Sequence, residues 1–545
     1  MRPRYGRVHM VIDQVRDNLK ALRAVGSTGL FGPDRPDRIV KVAGAMRRWG
    51  AVSGVAAIAA ARFGDRTAIV DELGPLSFID VDERTSALAA AWSDAGLRSG
   101  DGIGILCRNS RFFLDAMLAC AKLGASAIYL NTSFAGPQIA DVAEREQAKA
   151  IVFDEEFTEL VSAATQGRQR WLGWTDSPVA EGDRSIADAV IKFRGRAPER
   201  SAEESRVVML TSGTTGTPKG ASREAPRSLV TIGAIMERFP MKMRESTMVA
   251  APMFHSWGFA QTSIAVVMGS TLVVHRRYDP ERTLQAVAEH RCTSLMVVPV
   301  MMQRILDLGD EVIDRYDVSS LRIIGAGGSA LPGDLATHVM DRFGDILYNL
   351  YGSTEVSIAS IALPQDLRAA PGTAGRPVLG TAVHLYDDKG ARVHGVGNVG
   401  RIFVGADMAF EGYTGGGTKE EINGLLSSGD VGHFDAEGRL FVDGRDDEMI
   451  VSGAENVFPR EVEDLLSSQP EIAEAAVIGV PDEEFGQRLK AFVVLADGAT
   501  LSEDGVRDIV RANLARFKAP RDVVFLDALP RNATGKVLKK DLAAV

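Results

Sequence analysis

Cysteine is scarce in this chain: Cys107, Cys120 and Cys292 stand far apart, with no Cys-x-x-Cys pair among them. That spacing excludes a disulfide framework, a thiol redox pair and a structural zinc site built on thiolates. The eight histidines form no HxH or HExxH pair, so catalytic zinc has no ligand set. No apolar run reaches the roughly 18 residues of a spanning helix. The longest candidates, around 50–61 and 263–274, are short or broken by polar residues. Residues 1–7 are basic, but no secretory apolar stretch with a cleavage site follows them. These absences make the cytoplasm the expected location. Internal repeats and low-complexity tracts are also missing.

What is there is a chain of 545 residues, 45% apolar and 25% charged, an ordinary globular composition with material for a large core. At about 150 residues per domain, that length allows three or four folding units. The net charge of −10 hides an asymmetry, because residues 1–50 hold 11 Lys and Arg against 4 Asp and Glu. Within this basic start Val8, Val11, Ile12, Val15, Leu19 and Leu22 recur at helical spacing, while Arg16, Lys20 and Arg23 fall elsewhere. The pattern predicts an amphipathic basic helix. Residues 1–30 then either rest on the anionic inner face of a membrane or dock on the body of the protein.

From about Trp49 to Phe410, short β-branched runs alternate with helix-length segments. Residues 102–107, 127–130, 150–153, 207–210, 271–274, 295–298 and 321–324 read as buried strands. This rhythm predicts an α/β fold, a large body of mostly parallel sheets flanked by helices. Segments 400–404 and 439–443 add a small antiparallel part. From about Ile450 a separate set follows: helices at 459–467 and 503–514, and strands at 475–480, 490–495 and 522–526. That suffices for a small α+β domain. The expected organisation is an extension over 1–48, a body of two or three subdomains over 49–443, a hinge over 444–449 and a small mobile domain over 450–545.

Segment 207–220 reads Val-Val-Met-Leu-Thr-Ser-Gly-Thr-Thr-Gly-Thr-Pro-Lys-Gly. Hydroxyl residues (Thr211, Ser212, Thr214, Thr215, Thr217), glycines (Gly213, Gly216, Gly220) and Lys219 follow directly on a buried strand, and core packing needs none of them. Glycines let backbone N–H groups turn to a ligand, hydroxyls donate to phosphate oxygens, and lysine adds a point charge, so the loop suits a polyphosphate. It is not a Walker loop, because the glycine required five positions after Gly213 is Pro218.

Residues 211–220 resemble the signature of the adenylate-forming superfamily, which includes acyl-CoA synthetases, luciferases and peptide-synthetase adenylation domains. Further motifs agree in order and spacing from about Arg47 onward, and the chain is most like a fatty acyl-CoA synthetase. In Asn349-Leu-Tyr351-Gly352-Ser353-Thr354-Glu355, the resemblance sets the aromatic ring on adenine, Thr354 on the α-phosphate and Glu355 on Mg²⁺. Those types suit stacking, donation and hard-cation ligation. Asp430, in Ser-Gly-Asp-Val-Gly, corresponds to the ribose ligand, with Arg445 near it and Asp447 at the hinge pivot. Lys536 matches the C-terminal lysine that bridges the acid's carboxylate and the α-phosphate. His255, in Pro-Met-Phe-His-Ser-Trp-Gly258, matches the residue lining the acyl channel.

The resemblance also implies domain rotation, after which Gly453, Ala454 and Glu455 meet the pantetheine arm of CoA. Many CoA ligases have a second glycine where this chain has Ala454. Residues 511–540 carry 8 Lys and Arg against 2 Asp and Glu, a partner for CoA phosphates. Gly258, Ala260 and Gly327 leave room for an acyl group. Met296, Val298, Val300, Met301 and Met302 either line an apolar channel or belong to the core; the channel reading favours a medium- or long-chain fatty acid.

The expected activity is ATP-dependent: acyl-AMP forms with release of pyrophosphate, and the acyl group then passes to CoA. The substrates and cofactors are the acid, ATP, Mg²⁺ and CoA, with no nucleic acid as partner. A carrier-protein thiol is the alternative acceptor, and both monomer and homodimer are open. Gly325-Ala-Gly327-Gly328-Ser-Ala330 also fits the dinucleotide pattern GxGxxA, the signal of an NAD(P) or flavin oxidoreductase. In the adenylate-forming family this stretch, including Gly328, instead flanks the adenine and acyl sites.

Overall fold

The structure is a computed structural model that describes residues 17–32, 35–179, 182–201, 204–211, 219–223, 230–406, 410–452, 455–482, 486–514, 518–532 and 535–545. The β-branched runs of the first four hundred residues assemble into two large sheets. One orders its nine strands as Arg376–Pro377, Ser357–Ala362, Leu347–Ser353, Ile323–Gly327, Ser294–Val297, Ser246–Val249, Thr271–Val273, Thr67–Asp71 and Gly74–Ser77. Its central pairings are parallel and its edge pairings antiparallel. The other has eight strands, ordered Phe410–Tyr413, Lys219–Arg223, Val207–Thr211, Ser126–Tyr129, Gly102–Leu106, Ala148–Phe153, Gln169–Leu172 and Arg184–Ser185. Parallel strands covered by helices on both faces read as unbroken apolar runs, and all five residues of Gly102–Leu106 are buried.

A third, antiparallel sheet contains Ala382–Tyr386, Gly400–Gly405, Leu425–Phe434 and Leu440–Arg445. The fourth lies in the C-terminal part, where Ile472–Asp482 and Gly486–Leu495 form a long hairpin and Asp522–Phe525 joins in parallel. Its core is separate, built on Ile450, Val462, Leu466, Val477, Val493 and Val506. The helix Pro459–Ser467 begins where predicted, with proline in its first turn, where a missing N–H costs no hydrogen bond. The fold is thus α/β, a large body of mixed sheets and helices followed by a small C-terminal domain.

Four expectations change. Gly444 and Arg445 complete a strand paired with Val431 and Asp430, so the connection between sheets narrows to Asp446–Met449. Met296, Val298, Met301 and Met302 are buried in the main core, and Val300 packs against it, so the core reading of this set holds. The glycine-rich stretch after Ile323–Gly327 does not open a helix, because the next one starts at Gly333, after Pro332. A dinucleotide fingerprint needs its helix N-terminus inside the motif. Lastly, residues 17–27 are helical and docked, but through Ala21, Ala24 and Val25 rather than through Leu19 and Leu22.

Candidate active site

Strand ends from three sheets meet at one place. The strand Leu347–Ser353 and its neighbour Ser357–Ala362 are joined by a tight turn that carries Thr354 and Glu355. Ser353 Oγ accepts from the N–H groups of Glu355 (3.2 Å) and Val356 (3.3 Å) and donates to Glu355 Oε2 (3.0 Å). The chain bends so sharply that Ser357 has φ +64°. A Cβ on Gly352 would lie 2.0 Å from the Ser357 carbonyl oxygen. Only glycine fits there. Asn349, one turn of the pleat earlier, is buried and donates to the Thr373 carbonyl at 3.3 Å.

Asp430 and Arg445 face each other across the pair formed by Leu425–Phe434 and Leu440–Arg445, with Arg445 Nη1 3.2 Å from Asp430 Oδ1. The Tyr351 hydroxyl donates to Asp430 Oδ2 at 2.6 Å, which joins the third sheet to the first. Burial pushes the Asp430 carboxyl up, against the pull of Arg445, the Tyr351 hydroxyl and Lys536. Burial and the adjacent carboxylate push the Tyr351 phenol up, so it remains a donor.

The second sheet contributes Lys219 and a residue the motifs did not single out, Tyr413. The strand Phe410–Tyr413 pairs antiparallel with Lys219–Arg223, with Tyr413 opposite Ala221. The Tyr413 hydroxyl donates to Glu355 Oε1 at 3.0 Å, and Lys219 Nζ lies 5.0 Å from the centre of its ring. Tyr413 therefore spaces the lysine from the carboxylate while holding both. Burial and the Glu355 charge raise its pKa. Its signal in the sequence was slight, one tyrosine before the glycine-rich run 415–417.

The C-terminal domain reaches the same place. A Cβ on Gly535 would lie 2.2 Å from Val300 Cγ1, so Gly535 presses on the body at the start of helix Pro299–Leu306. Gly535 has φ +76°, and the loop is closed by Lys536 N–H donating to Asn532 Oδ1 at 2.9 Å. Lys536 is exposed yet near enough to lower Asp430. On one side of Asp447, Arg401 Nε binds Asp446 Oδ2 at 2.9 Å. On the other, Lys539 Nζ binds Glu448 at 3.1 Å and Glu463 at 2.9 Å.

His255 precedes the helix Ser256–Met268, and its ring lies beside Phe254. Its Nε2 is buried without a partner, and burial pushes its pKa down to about 4. The imidazole is neutral at neutral pH. The space expected around Gly258 and Gly327 goes to protein: the Pro252 carbonyl oxygen would sit 2.2 Å from a Cβ on Gly258, and the Trp257 ring 3.3 Å from one on Gly327. A Cβ on Gly328, at φ +88°, would meet Val298 Cγ1 at 3.5 Å. Ser212, Gly213, Thr214, Thr215, Gly216, Gly453 and Ala454 lie outside the described residues, and only the backbone of Thr211, Asp447 and Glu455 is described.

Among the described residues, no group of three or more His, Cys, Asp or Glu gathers to hold a metal. Glu355 is a buried carboxylate next to Thr354, and Tyr413 stands between it and Lys219. One carboxylate is a fitting complement for Mg²⁺, which is commonly held by one or two carboxylates together with substrate phosphates.

Residues 57–414 match the family described as AMP-binding enzyme, and residues 461–536 match its C-terminal domain. The indoleacetate–CoA ligase of Aromatoleum aromaticum is 32% identical, over 88% of this chain and 94% of its own. A feruloyl-CoA synthase of an Amycolatopsis species is 32% identical, over 86% and 93%. Among solved structures, o-succinylbenzoate CoA synthetase from Bacillus subtilis, in complex with its acyl-adenylate intermediate, superposes with a TM-score of 0.78 at 26% identity, covering 90% of this chain and 97% of that one.

Replacing Tyr413 by Phe keeps the ring under Lys219 and removes the hydrogen bond to Glu355. Adenylate formation, read by ATP–pyrophosphate exchange, is expected to lose about tenfold in kcat/KM, with little change in stability. An unchanged rate would show that Tyr413 is only a strand residue. For His255 the unfolded pKa of 6.5 exceeds the folded value of about 4. Between these values the unfolded chain binds the extra proton, so stability falls as pH drops, by at most about 1.4 kcal/mol per pH unit. His255→Asn is expected to flatten that part of a urea-denaturation profile; an identical slope would refute the assignment.

Proposed function

The chain belongs to the AMP-binding enzyme family, within the adenylate-forming superfamily, and from that premise we propose that it is an AMP-forming ligase joining a hydrophobic carboxylic acid to the thiol of CoA. One observation carries the reading: Asp430 is approached by Tyr351, Arg445 and Lys536, from three parts of the chain remote in sequence. A carboxylate oxygen of the acid attacks the α-phosphorus of ATP, and the bond to the pyrophosphate oxygen breaks. The CoA thiol then attacks the acyl carbonyl, losing its proton, and AMP leaves with the former carboxylate oxygen.

In this reading Tyr351 lies against the adenine and Asp430 and Arg445 engage the ribose. Thr354 donates to the α-phosphate, and Lys219 faces the departing pyrophosphate. Lys536 neutralises the acid's carboxylate against the α-phosphate, where two anions would otherwise repel. Mg²⁺, held by Glu355 and the phosphates, would supply electrostatic relief to the triphosphate. Asp447 is the pivot: its neighbours are anchored separately, Asp446 to Arg401 of the body and Glu448 to Lys539 of the small domain. Rotation there brings the segment containing Gly453, Ala454 and Glu455 to the pantetheine arm.

The acid is ring-bearing or alkyl. The fatty-acid reading leaned on methionines and valines that are packed in the core, and the indoleacetate and feruloyl ligases among the relatives are named for ring-bearing acids. An acid panel comprising indole-3-acetate, ferulate, octanoate and palmitate tests the class, with pyrophosphate and AMP release read with and without CoA. Pyrophosphate release with at least one acid and CoA-dependent AMP release are expected, with no response to NAD(P)H. Adenylate that forms but never passes to CoA would transfer the reading to a carrier-protein acceptor. Lys536→Ala is expected to slow adenylation by about 100-fold or more while thiolation of supplied acyl-AMP changes far less; equal losses in both steps would count against the bridging role.

A further inference from the structure

We propose that the helix over 17–27, Phe31 and the helix Pro36–Trp49 form a docking surface for an anionic lipid bilayer. The helix over 17–27 meets the body with its small side chains: Ala21, Ala24 and Val25 are buried. A Cβ on Gly233 would lie 2.6 Å from Ala21 Cα, so this helix is pressed onto Val230–Arg238. Its large apolar residues stay in solvent, Leu19 at 62% and Leu22 at 48% exposure. The helix Pro36–Trp49 repeats the arrangement: Trp49 is its one buried residue, while Ile39, Val40 and Met46 are 56%, 72% and 47% exposed. Phe31, between the two, is 56% exposed.

A single exposed apolar side chain needs no explanation. Here seven of the fifteen large exposed apolar residues among those described fall between Leu19 and Val52. Both helices expose large apolar side chains beyond the ones that dock, Val25 and Trp49, whereas an ordinary surface helix keeps its apolar stripe toward the core.

Charge identifies the occupant. Lys20, Arg23, Lys41, Arg47 and Arg48 stand exposed on the same two helices. Residues 1–50 hold 11 basic against 4 acidic residues in a chain of net charge −10. Apolar side chains that enter the acyl boundary, flanked by basic ones that reach phosphate head groups, are the complement of an anionic membrane surface. A second copy offering the same face would set basic helix against basic helix. Upstream, Val15, Ile12 and Val8 continue the spacing of Leu19 and Leu22 in sequence, and Arg2, Arg4, Arg7 and Arg16 accompany them; these lie outside the described residues.

The test is co-sedimentation of the full chain with vesicles of phosphatidylcholine alone or with about one-third phosphatidylglycerol. Binding is expected to be at least about tenfold tighter to the anionic vesicles and to weaken as salt rises. Leu19→Glu with Leu22→Glu, or Val40→Glu with Met46→Glu, should reduce it about tenfold, with an unchanged thermal midpoint because all four side chains are exposed. Lys20→Glu with Arg23→Glu should remove the preference for anionic lipid. The two helices provide independent variants should either pair impair folding. Absent binding, equal binding to both vesicles, or binding indifferent to these substitutions would overturn the proposal. So would a dimer, seen by light scattering, that the Leu19/Leu22 variant dissociates while vesicles bind nothing.

Discussion

An acid and a triphosphate repel each other, and a site that joins them must bring cations to both without a permanent wall of positive charge. In the proposed reaction the chain meets this demand with dispersed cations. Lys219 stands at the start of a strand of one sheet, over the Tyr413 ring. Arg445 closes a strand of another, held to Asp430. Lys536 arrives on a loop of the small domain that presses against Val300. No one element holds them all, and the domain rotation proposed above would withdraw Lys536 and leave a less positive site. Burial raises the price of every charge that remains, and each is paired or exposed: Asp430 with Tyr351 and Arg445, Glu355 with Ser353 and Tyr413.

The same logic applies to the proposed hinge. Asp446 is tied to the body through Arg401, which also binds Glu420. Glu448 is tied to the small domain through Lys539, which also binds Glu463. Two anchored carboxylates with one residue between them confine backbone rotation to a short stretch, as the flexing positions of a hinge require. The sequence suggested a hinge over 444–449 but could not show that Gly444 and Arg445 continue a β-strand, because their partners, Val431 and Asp430, lie on another strand.

Much of the site was legible residue by residue, since phosphate, ribose and hard cations demand particular side chains at short spacings. Thr354 and Glu355 lie in the turn between two paired strands, and Asp430 meets Arg445. Tyr413 escaped notice because its role comes from pairing between Phe410–Tyr413 and Lys219–Arg223, nearly two hundred residues apart. The glycines at 258 and 327 show a related limit. Sequence shows that a side chain is missing, but the space it vacates was taken by the Pro252 carbonyl and the Trp257 ring.

By itself the sequence determined what depends on local chemistry and periodicity: the α/β rhythm of buried strands, a separate small domain and the identity of the charged groups. Tertiary structure alone decided which strands became neighbours, which carboxylate each cation met, and which face of the first helices was covered. Alternation and composition act over a few residues, whereas pairing partners and burial depend on the closure of long loops. Hence Leu19 and Leu22 could be recognised as one apolar stripe, but that Ala21, Ala24 and Val25 would take the core instead was settled only when that helix met Gly233.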